Sequence, residues 1–257
     1  SLDQYERAIQ DYDEAIRLDP QNAEAYTDRG VAYASLDQYE QAIQDFDEAI
    51  RLDPQNAEAY TDRGVAYSCL DQDEQAIQDF DEAIRLDPEY DSSYIGRGVV
   101  YAELGQYKRA IQDFDEAIRL NPQYSEAYTD RGVAYASLDQ YERAIQDYDE
   151  AIRLDPQNAE AYTDRGVAYA SLDQYEQAIQ DFDEAIRLDP QDTDAYYNRG
   201  AAYASLDQDE QAIQDFGEAI RLDPQNALAY IGRGVAYDNL GQYEQAIQDY
   251  DEAIRLD

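Results

Sequence analysis

Residues 23–56 read AEAYTDRGVAYASLDQYEQAIQDFDEAIRLDPQN, and close variants of this segment fill the chain from one end to the other. The prolines mark the repeat, because all seven are spaced 34 residues apart. They are Pro20, Pro54, Pro88, Pro122, Pro156, Pro190 and Pro224. A fixed period of about 20–50 residues is typical of a solenoid, in which each unit packs only against its neighbours. The spacing therefore predicts a fold built from tandem copies of one small unit.

The pattern inside this unit predicts two helices. In the first half, Tyr26, Gly30 and Tyr33 recur with the three- and four-residue spacing of one helix face. In the second half, apolar residues follow the same spacing over 39–50. We interpret the small residues as places where helix backbones approach closely and the aromatic residues as filling the space between helices.

Short polar segments predict where the helices begin and end. Asp37 and Glu40 have the D-x-x-E form of a capping box, which predicts a helix start after the first helix has ended. Asp53-Pro54 predicts the end of the second helix, because proline lacks an N–H and disfavours helix in the residue before it. The unit is therefore expected to be two antiparallel helices joined by a short turn.

The repeat also predicts the organisation of the whole chain. A half unit occupies 1–22, six full units follow, and a nearly complete unit occupies 227–257. The units start at 23, 57, 91, 125, 159, 193 and 227. Because no Gly/Ser-rich or Pro-rich segment interrupts them, we predict one continuous array over 1–257.

A second, longer period lies on top of the first. Residues 1–55 are identical to 137–191, an offset of four units. Departures from the common unit recur at the same offset, since Ile95 and Ile231 both replace the usual threonine. This pattern favours a recent duplication of a four-unit block.

The unit resembles the tetratricopeptide repeat. The pattern of that family, W-x2-L-G-x2-Y…A-x3-F…P, occurs here as Tyr26-x2-Arg29-Gly30-x2-Tyr33…Ala42-x3-Phe46…Pro54. The resemblance covers the whole chain in register. It implies an all-α fold, an α-solenoid in which antiparallel helix pairs form a right-handed superhelix, with the first helices lining the concave face. It also implies a non-enzymatic scaffold that binds a protein or peptide in the concave groove.

Arginine replaces the leucine of the family pattern in every unit. A charged group beside the core needs a partner, because burying it unpaired is costly. Aspartates of the second helices, such as Asp45 and Asp113, are the nearest candidates. For Arg131 we expect a pair with Asp113 or Asp147. At the other conserved arginine position of the unit, Arg51 is expected to pair with Asp47, four residues before it.

Charge excludes several classes of partner. The net charge is −40, only 19 residues are basic, and Lys108 is the only lysine. So little basic charge argues against binding to nucleic acid backbones or anionic membranes. No apolar segment approaches the length of a membrane span and no signal peptide is visible, so we expect an intracellular protein of undefined compartment.

Catalytic chemistry has little support in the sequence. Histidine, the commonest general base and metal ligand, is absent. Cys69 stands where other units have serine, glutamate or asparagine, and we interpret it as a neutral substitution. The carboxylates recur at repeat spacing, which indicates a solvated surface that would bind divalent cations only weakly. We therefore expect no enzyme activity, no cofactor and no dedicated metal site.

The face of the first helices opposite their core stripe is the candidate binding groove. It is acidic and carries small side chains, so we expect it to bind a basic or amphipathic segment. Its predicted residues are Glu24, Thr27, Asp28, Val31, Asp62, Ile95, Asp130, Asp164, Tyr197 and Ile231.

Two alternatives stay open at this point. The apolar groove residues Ile95, Tyr197 and Ile231 are either anchor points for a ligand or neutral substitutions at exposed positions. The chain is either a peptide-binding scaffold or a structural spacer that self-assembles, with end-to-end stacking covering the helix faces at its two ends.

The net charge predicts a salt dependence of stability. Raising the ionic strength from a few millimolar to about 0.15 M should raise the melting temperature, because a Debye length of about 8 Å screens repulsion among the acidic side chains. Calorimetry over a sodium chloride series measures this. A flat or falling melting temperature would show that local ion pairs outweigh the repulsion.

Overall fold

The computed structural model describes residues 2–256, and their regular structure is entirely helical. The helices group into two compact units, residues 1–123 and 124–257, which are described separately below. This architecture is the all-α solenoid of helix pairs that the sequence predicts. The continuity of the array over 1–257 stays a prediction.

Among residues 2–123 the structure describes seven helices. They are α1 (Leu2–Leu18), α2 (Ala23–Ala34), α3 (Tyr39–Leu52), α4 (Ala57–Ser68), α5 (Asp73–Leu86), α6 (Asp91–Glu103) and α7 (Tyr107–Leu120). The second unit contains eight. They are α8 (Ser125–Ala136), α9 (Tyr141–Leu154), α10 (Ala159–Ser171), α11 (Tyr175–Leu188), α12 (Thr193–Ser205), α13 (Asp209–Leu222), α14 (Ala227–Asn239) and α15 (Tyr243–Leu256).

Packing follows the order of the helices along the chain. Within each unit, a first helix such as α4 packs against its own second helix α5 and against the second helix of the preceding pair, α3. First helices of neighbouring pairs also touch, as α2 touches α4, whereas α3 and α5 do not. The first helices of each unit are thus closer together than the second helices, which places them on the inner side of the curve.

The turn between the two helices of a pair is closed by a left-handed aspartate. Asp37 has a φ of 56°. The amides of Asp37 and Gln38 donate to the carbonyls of Ala34 and Tyr33, each at 3.0 Å. This is the Schellman arrangement that satisfies the last carbonyls of a helix.

The predicted capping box at Asp37 is therefore wrong. Helix α3 begins at Tyr39, and the residue before it, Gln38, makes no side-chain capping bond. Asp37 ends the first helix instead of starting the second, because aspartate tolerates the left-handed conformation that this end requires. Glycine, which adopts it without strain, takes the same place at Gly105 (φ 69°) and Gly241 (φ 71°).

Each helix pair encloses an aromatic ring between small residues. Phe46 is fully buried and packs with Ala42 and Ala66. A Cβ atom added at Gly30 would lie 2.6 Å from Cε1 of Phe46, closer than packing allows. This contact confirms that the repeated glycine admits the ring, as the sequence predicts.

An arginine in the first helix of a pair can tie three helices together. Arg29 of α2 donates from Nε and Nη2 to the two carboxylate oxygens of Asp45 on α3, at 2.7 and 2.6 Å. Its Nη1 donates to Asp13 on α1 at 2.6 Å. The guanidinium also lies over the rings of Tyr26 and Tyr33, at 5.6 and 6.0 Å from their centroids. We call this arrangement the arginine clamp.

The clamp recurs at the same sequence spacing. Arginines that bind one aspartate 16 residues later and another 16 residues earlier are Arg29, Arg63, Arg97, Arg165 and Arg199. Arg131 donates to both carboxylate oxygens of Asp147, at 2.8 and 2.6 Å, which confirms one of its two predicted partners. The other, Asp113, is bound by Arg97.

The second arginine position differs from its prediction. Arg51 donates to both carboxylate oxygens of Glu48, at 2.7 and 2.5 Å, and not to Asp47. Asp47 instead accepts from Arg63 of the next pair. The sequence could not distinguish these two partners. Glu48 and Asp47 lie three and four residues before Arg51, and both spacings allow a side-chain pair on a helix surface.

One clamp lacks its second carboxylate. Arg233 of α14 binds both oxygens of Asp249, at 2.8 and 2.7 Å. The position 16 residues earlier, on α13, is Gly217 instead of aspartate. A Cβ atom added there would lie 3.7 Å from Nη1 of Arg233, an ordinary contact distance. The site therefore has room for the missing side chain.

Restoring this carboxylate should stabilise the protein. We expect Gly217→Asp to be more stable than Gly217→Asn by about 0.5–1 kcal/mol, because only the aspartate pairs with the free edge of the Arg233 guanidinium. Urea denaturation of the two variants measures the difference. Asparagine is the matched control, since it has the same shape and a similar helix propensity. Equal midpoints would show that the second arm of the clamp contributes no stability.

Candidate functional site

The exposed side of the first helices carries an acidic cavity in residues 1–123. It has a volume of about 430 Å³ and is lined by Glu24 and Asp28 of α2, and by Asp53 and Glu58. Glu24 is exposed and Asp28 is half-buried. The structure thus brings these two predicted groove residues together with two further carboxylates, and a third predicted residue, Thr27, also lines the cavity. We call the exposed side of the first helices, which includes this cavity, the groove face.

Thr27 differs from its predicted place on the exposed face. Its side chain is buried, and its Oγ1 donates to the carbonyl of Ala23 at 3.3 Å. The equivalent Thr61 is also buried, with its hydroxyl 2.7 Å from that of Ser93 on the next first helix. Neighbouring first helices approach closely, and these threonines pack between them. Their side chains therefore offer little surface to a ligand.

A second cavity joins two predicted groove residues from successive pairs. Val31 of α2 and Asp62 of α4 both line a space of about 270 Å³. Cys69, which the sequence suggested was a neutral substitution, lies exposed at the same cavity. Its place could have been found from the sequence, since Cys69 lies seven residues after Asp62 and four after Val65, a spacing that puts all three on one helix face.

The groove aspartates are more buried than the helical pattern indicates. Burial, with a smaller contribution from repulsion by the nearby Glu58, raises the pKa of Asp62 to about 7. Burial likewise raises the pKa of Asp164 to about 7, with added repulsion from Glu160 and Asp192. For both aspartates the charged form is disfavoured, because no cation offsets the hydration that the carboxylate loses on burial.

Asp130 shows the same behaviour to a smaller extent. Burial raises its pKa to about 6, and Glu160 and Glu126 add repulsion. Each of these three aspartates follows the core aromatic residue of the preceding pair by 16 positions. For Asp62 and Asp164 this spacing brings the carboxylate near the core rings of Phe46 and Tyr148, which the pattern within one unit does not show.

The apolar groove residues do not form one type of site. Ile95 is half-buried, and Tyr197 packs its ring 5.7 Å from that of Phe216, so Tyr197 belongs largely to the core. Ile231 is exposed and lines a cavity of about 480 Å³ together with Leu228. The cavity lies between α14 and α15 and is mainly apolar.

Two classes of site are not found in the part of the chain that the structure describes. No cluster of cysteine and carboxylate side chains among residues 2–256 has the grouping that would hold a metal ion. None of the helices over the same residues combines the length and the apolar character needed to cross a bilayer.

Comparison with known proteins assigns the repeats. Sequence profiles of the tetratricopeptide repeat match residues 35–91, 61–125, 95–159 and 129–193. Further profiles with the same description match residues 1–61, 193–226 and 227–257. No curated protein sequence matches the chain significantly.

Solved structures with similar folds are numerous. YrrB, a tetratricopeptide repeat protein described as having an unusual peptide-binding site, is 28% identical, with a TM-score of 0.62, over 72% of this chain and 95% of its own. MamA is 27% identical, with a TM-score of 0.59, over 62% of this chain and 93% of its own. PilF of Pseudomonas aeruginosa is 18% identical and shares the fold, with a TM-score of 0.72, over 86% of this chain and 96% of its own.

The profile matches reach every repeat, and the helix pairs, the glycine–aromatic contacts and the 34-residue period agree with them. The chain belongs to the tetratricopeptide repeat family.

Proposed function

We propose that the groove face binds basic or amphipathic peptide segments. The wider role, a protein-interaction scaffold, is the usual one of tetratricopeptide repeat proteins, which are generally not enzymes. The finer assignment concerns what the groove face of this chain selects, and it rests on the charges described above.

The observation that carries the proposal is the set of groove carboxylates without cations. Asp62, Asp130 and Asp164 are partly buried, and each is surrounded by further acidic groups. The clamp arginines point elsewhere, because their guanidinium groups bind the aspartates of second helices. A cationic ligand would supply the charge that the groove face lacks.

Long-range charge supports the same ligand class. A net charge of −40 attracts basic segments and speeds their encounter, whereas apolar contacts slow dissociation. Ile231 offers exposed apolar surface for such contacts, and Ile95 is half-buried. Similarity to YrrB, with its described peptide-binding site, supports a peptide as the form of the ligand.

A lysine-rich peptide tests the proposal. Fluorescence anisotropy should show binding that weakens steeply with salt. Replacing Asp28, Asp62, Asp130 and Asp164 together by asparagine should weaken binding about tenfold or more, because it removes the carboxylates that meet the ligand. Replacing Ile95 and Ile231 by threonine should mainly speed dissociation.

The matched control changes the same charge elsewhere. Left-handed turn aspartates tolerate asparagine, so the control replaces Asp71, Asp139, Asp173 and Asp207 by asparagine. Equal binding by the two quadruple variants would contradict the groove assignment. If neither the parent chain nor the control binds the peptide, and sedimentation shows concentration-dependent association, the alternative role of a self-assembling spacer would replace it.

The raised pKa values predict that binding releases protons. In the free protein the pKa of Asp62 and of Asp164 is about 7. A bound ammonium group favours the charged carboxylate and lowers these values, so the complex holds fewer protons than the free protein around pH 7. Affinity should therefore increase from pH 6 to pH 8, while the lysines stay protonated.

Calorimetric titration at pH 7 in two buffers of different ionisation enthalpy counts the released protons. The variant with Asp62→Asn and Asp164→Asn should release fewer and bind with less pH dependence. Affinity that is constant over this pH range would show that the ligand does not meet these carboxylates.

A further inference from the structure

Two cavities of the groove face are counterparts of each other. The first, of about 270 Å³, lies between α2 and α4 and includes Val31, Asp62 and Cys69. The second, of about 260 Å³, lies between α10 and α12, and includes Val167 and Asn198. Each of the eight residues that line the first has its equivalent, 136 positions later, in the lining of the second, and 136 is the offset of the block duplication.

The walls of the first cavity are mainly apolar. Val31 and Val65 are 42% and 45% exposed, and they line it together with Ala34 and the ring of Phe46. A flexible chain of methylene groups fits such a surface, as the stem of a lysine side chain does when its charged head reaches a polar group.

The polar group of this cavity is an unsatisfied carboxylate. Oδ2 of Asp62 is buried and has no hydrogen-bond partner. Buried polar atoms are nearly always hydrogen-bonded, and an ionised carboxylate left unpaired loses its hydration without compensation. The charged group that acts on it, Glu58, is itself acidic and makes the loss greater. The cavity thus lacks a cationic donor.

The second cavity differs from the first at only a few positions. Asn198 replaces Asp62, Ala201 replaces Val65, and serine replaces Cys69. An asparagine amide is neutral and carries both donors and an acceptor, so it has no preference for a cation. The duplication has therefore left one acidic cavity and one neutral cavity of nearly the same size.

From these observations we infer that the cavity at Asp62 is a lysine subsite. The aliphatic stem of a ligand lysine lies against Val31 and Val65, and its ammonium group donates to Oδ2 of Asp62. An ammonium group is compact and rotates its three donors freely, which suits a single buried oxygen better than the planar fork of a guanidinium. The counterpart at Asn198 accepts neutral side chains. This inference rests on the proposed function, because it names the residue that the groove face selects.

A fluorescein-labelled octalysine peptide is the probe. Asp62→Asn should weaken its binding about fivefold or more, because it removes a charged acceptor from an enclosed site. Asp71→Asn removes one charge from an exposed turn two residues beyond Cys69 and should change binding less than about twofold. Asn198→Asp should strengthen binding, since it makes the second cavity acidic. Asparagine at 62 is expected to fold normally because residue 198 already carries it, and circular dichroism checks this.

Cys69 provides a second, local readout. Octalysine should slow the alkylation of Cys69 by iodoacetamide in the parent chain but not in Asp62→Asn. Octa(acetyl-lysine), which keeps the stems but loses the charges, should protect in neither. If octalysine binds but Asp62→Asn and Asp71→Asn are equally affected and Cys69 stays unprotected, the subsite is wrong while the proposed function stands. If octalysine does not bind at all, both are wrong.

Discussion

The arginine clamp is the interaction on which the spacing of the helix pairs depends. Where both carboxylates are present, as at Arg29, the clamp guanidinium binds the second helix of its own pair and the helix that precedes the pair. It therefore sets the distance between these two helices, which do not touch each other. Its bidentate partner is nearly buried, with the side chain of Asp45 8% exposed. Two parallel charge-assisted bonds to such a group resist changes of angle as well as distance.

The clamp also determines where negative charge remains. Arginine accounts for nearly all the basic charge, and most of the arginines bind second-helix aspartates or glutamates such as Glu48. The groove carboxylates therefore have no internal cation available to them. The stability of the solenoid and the acidity of its groove face have one origin. The arginines that hold the helix pairs together bind carboxylates of the second helices and leave the carboxylates of the groove face without a cation.

Much of this architecture could be predicted from the sequence because it repeats. The 34-residue period, the glycine against Phe46 and the pairing of Arg131 with Asp147 all follow from patterns that recur many times. The failures are local. Asp37 fits both a capping box, which starts a helix, and the left-handed turn that ends one. Only the backbone conformation at Asp37 shows that it ends the first helix.

The groove face was less predictable for a different physical reason. Helical spacing places Thr27 and Asp62 opposite the core stripe of their own helix, but it does not show the neighbouring first helix or the ring beneath them. Burial in a solenoid depends on contacts between units. A pattern read within one unit therefore identifies the core of that unit better than its ligand-facing side.

The short sequence distance between clamped residues has a consequence for how the chain folds. The clamp bonds described above join residues 16 apart, and helices contact others only one or two places away along the chain. Loop closure between such near residues costs little entropy, and folds with low contact order form quickly. Any helix pair can thus act as a nucleus, and structure can spread in both directions from wherever it starts. An acidic chain of this kind does not need its far end in order to fold, so each repeat can be completed while the next is still being synthesised.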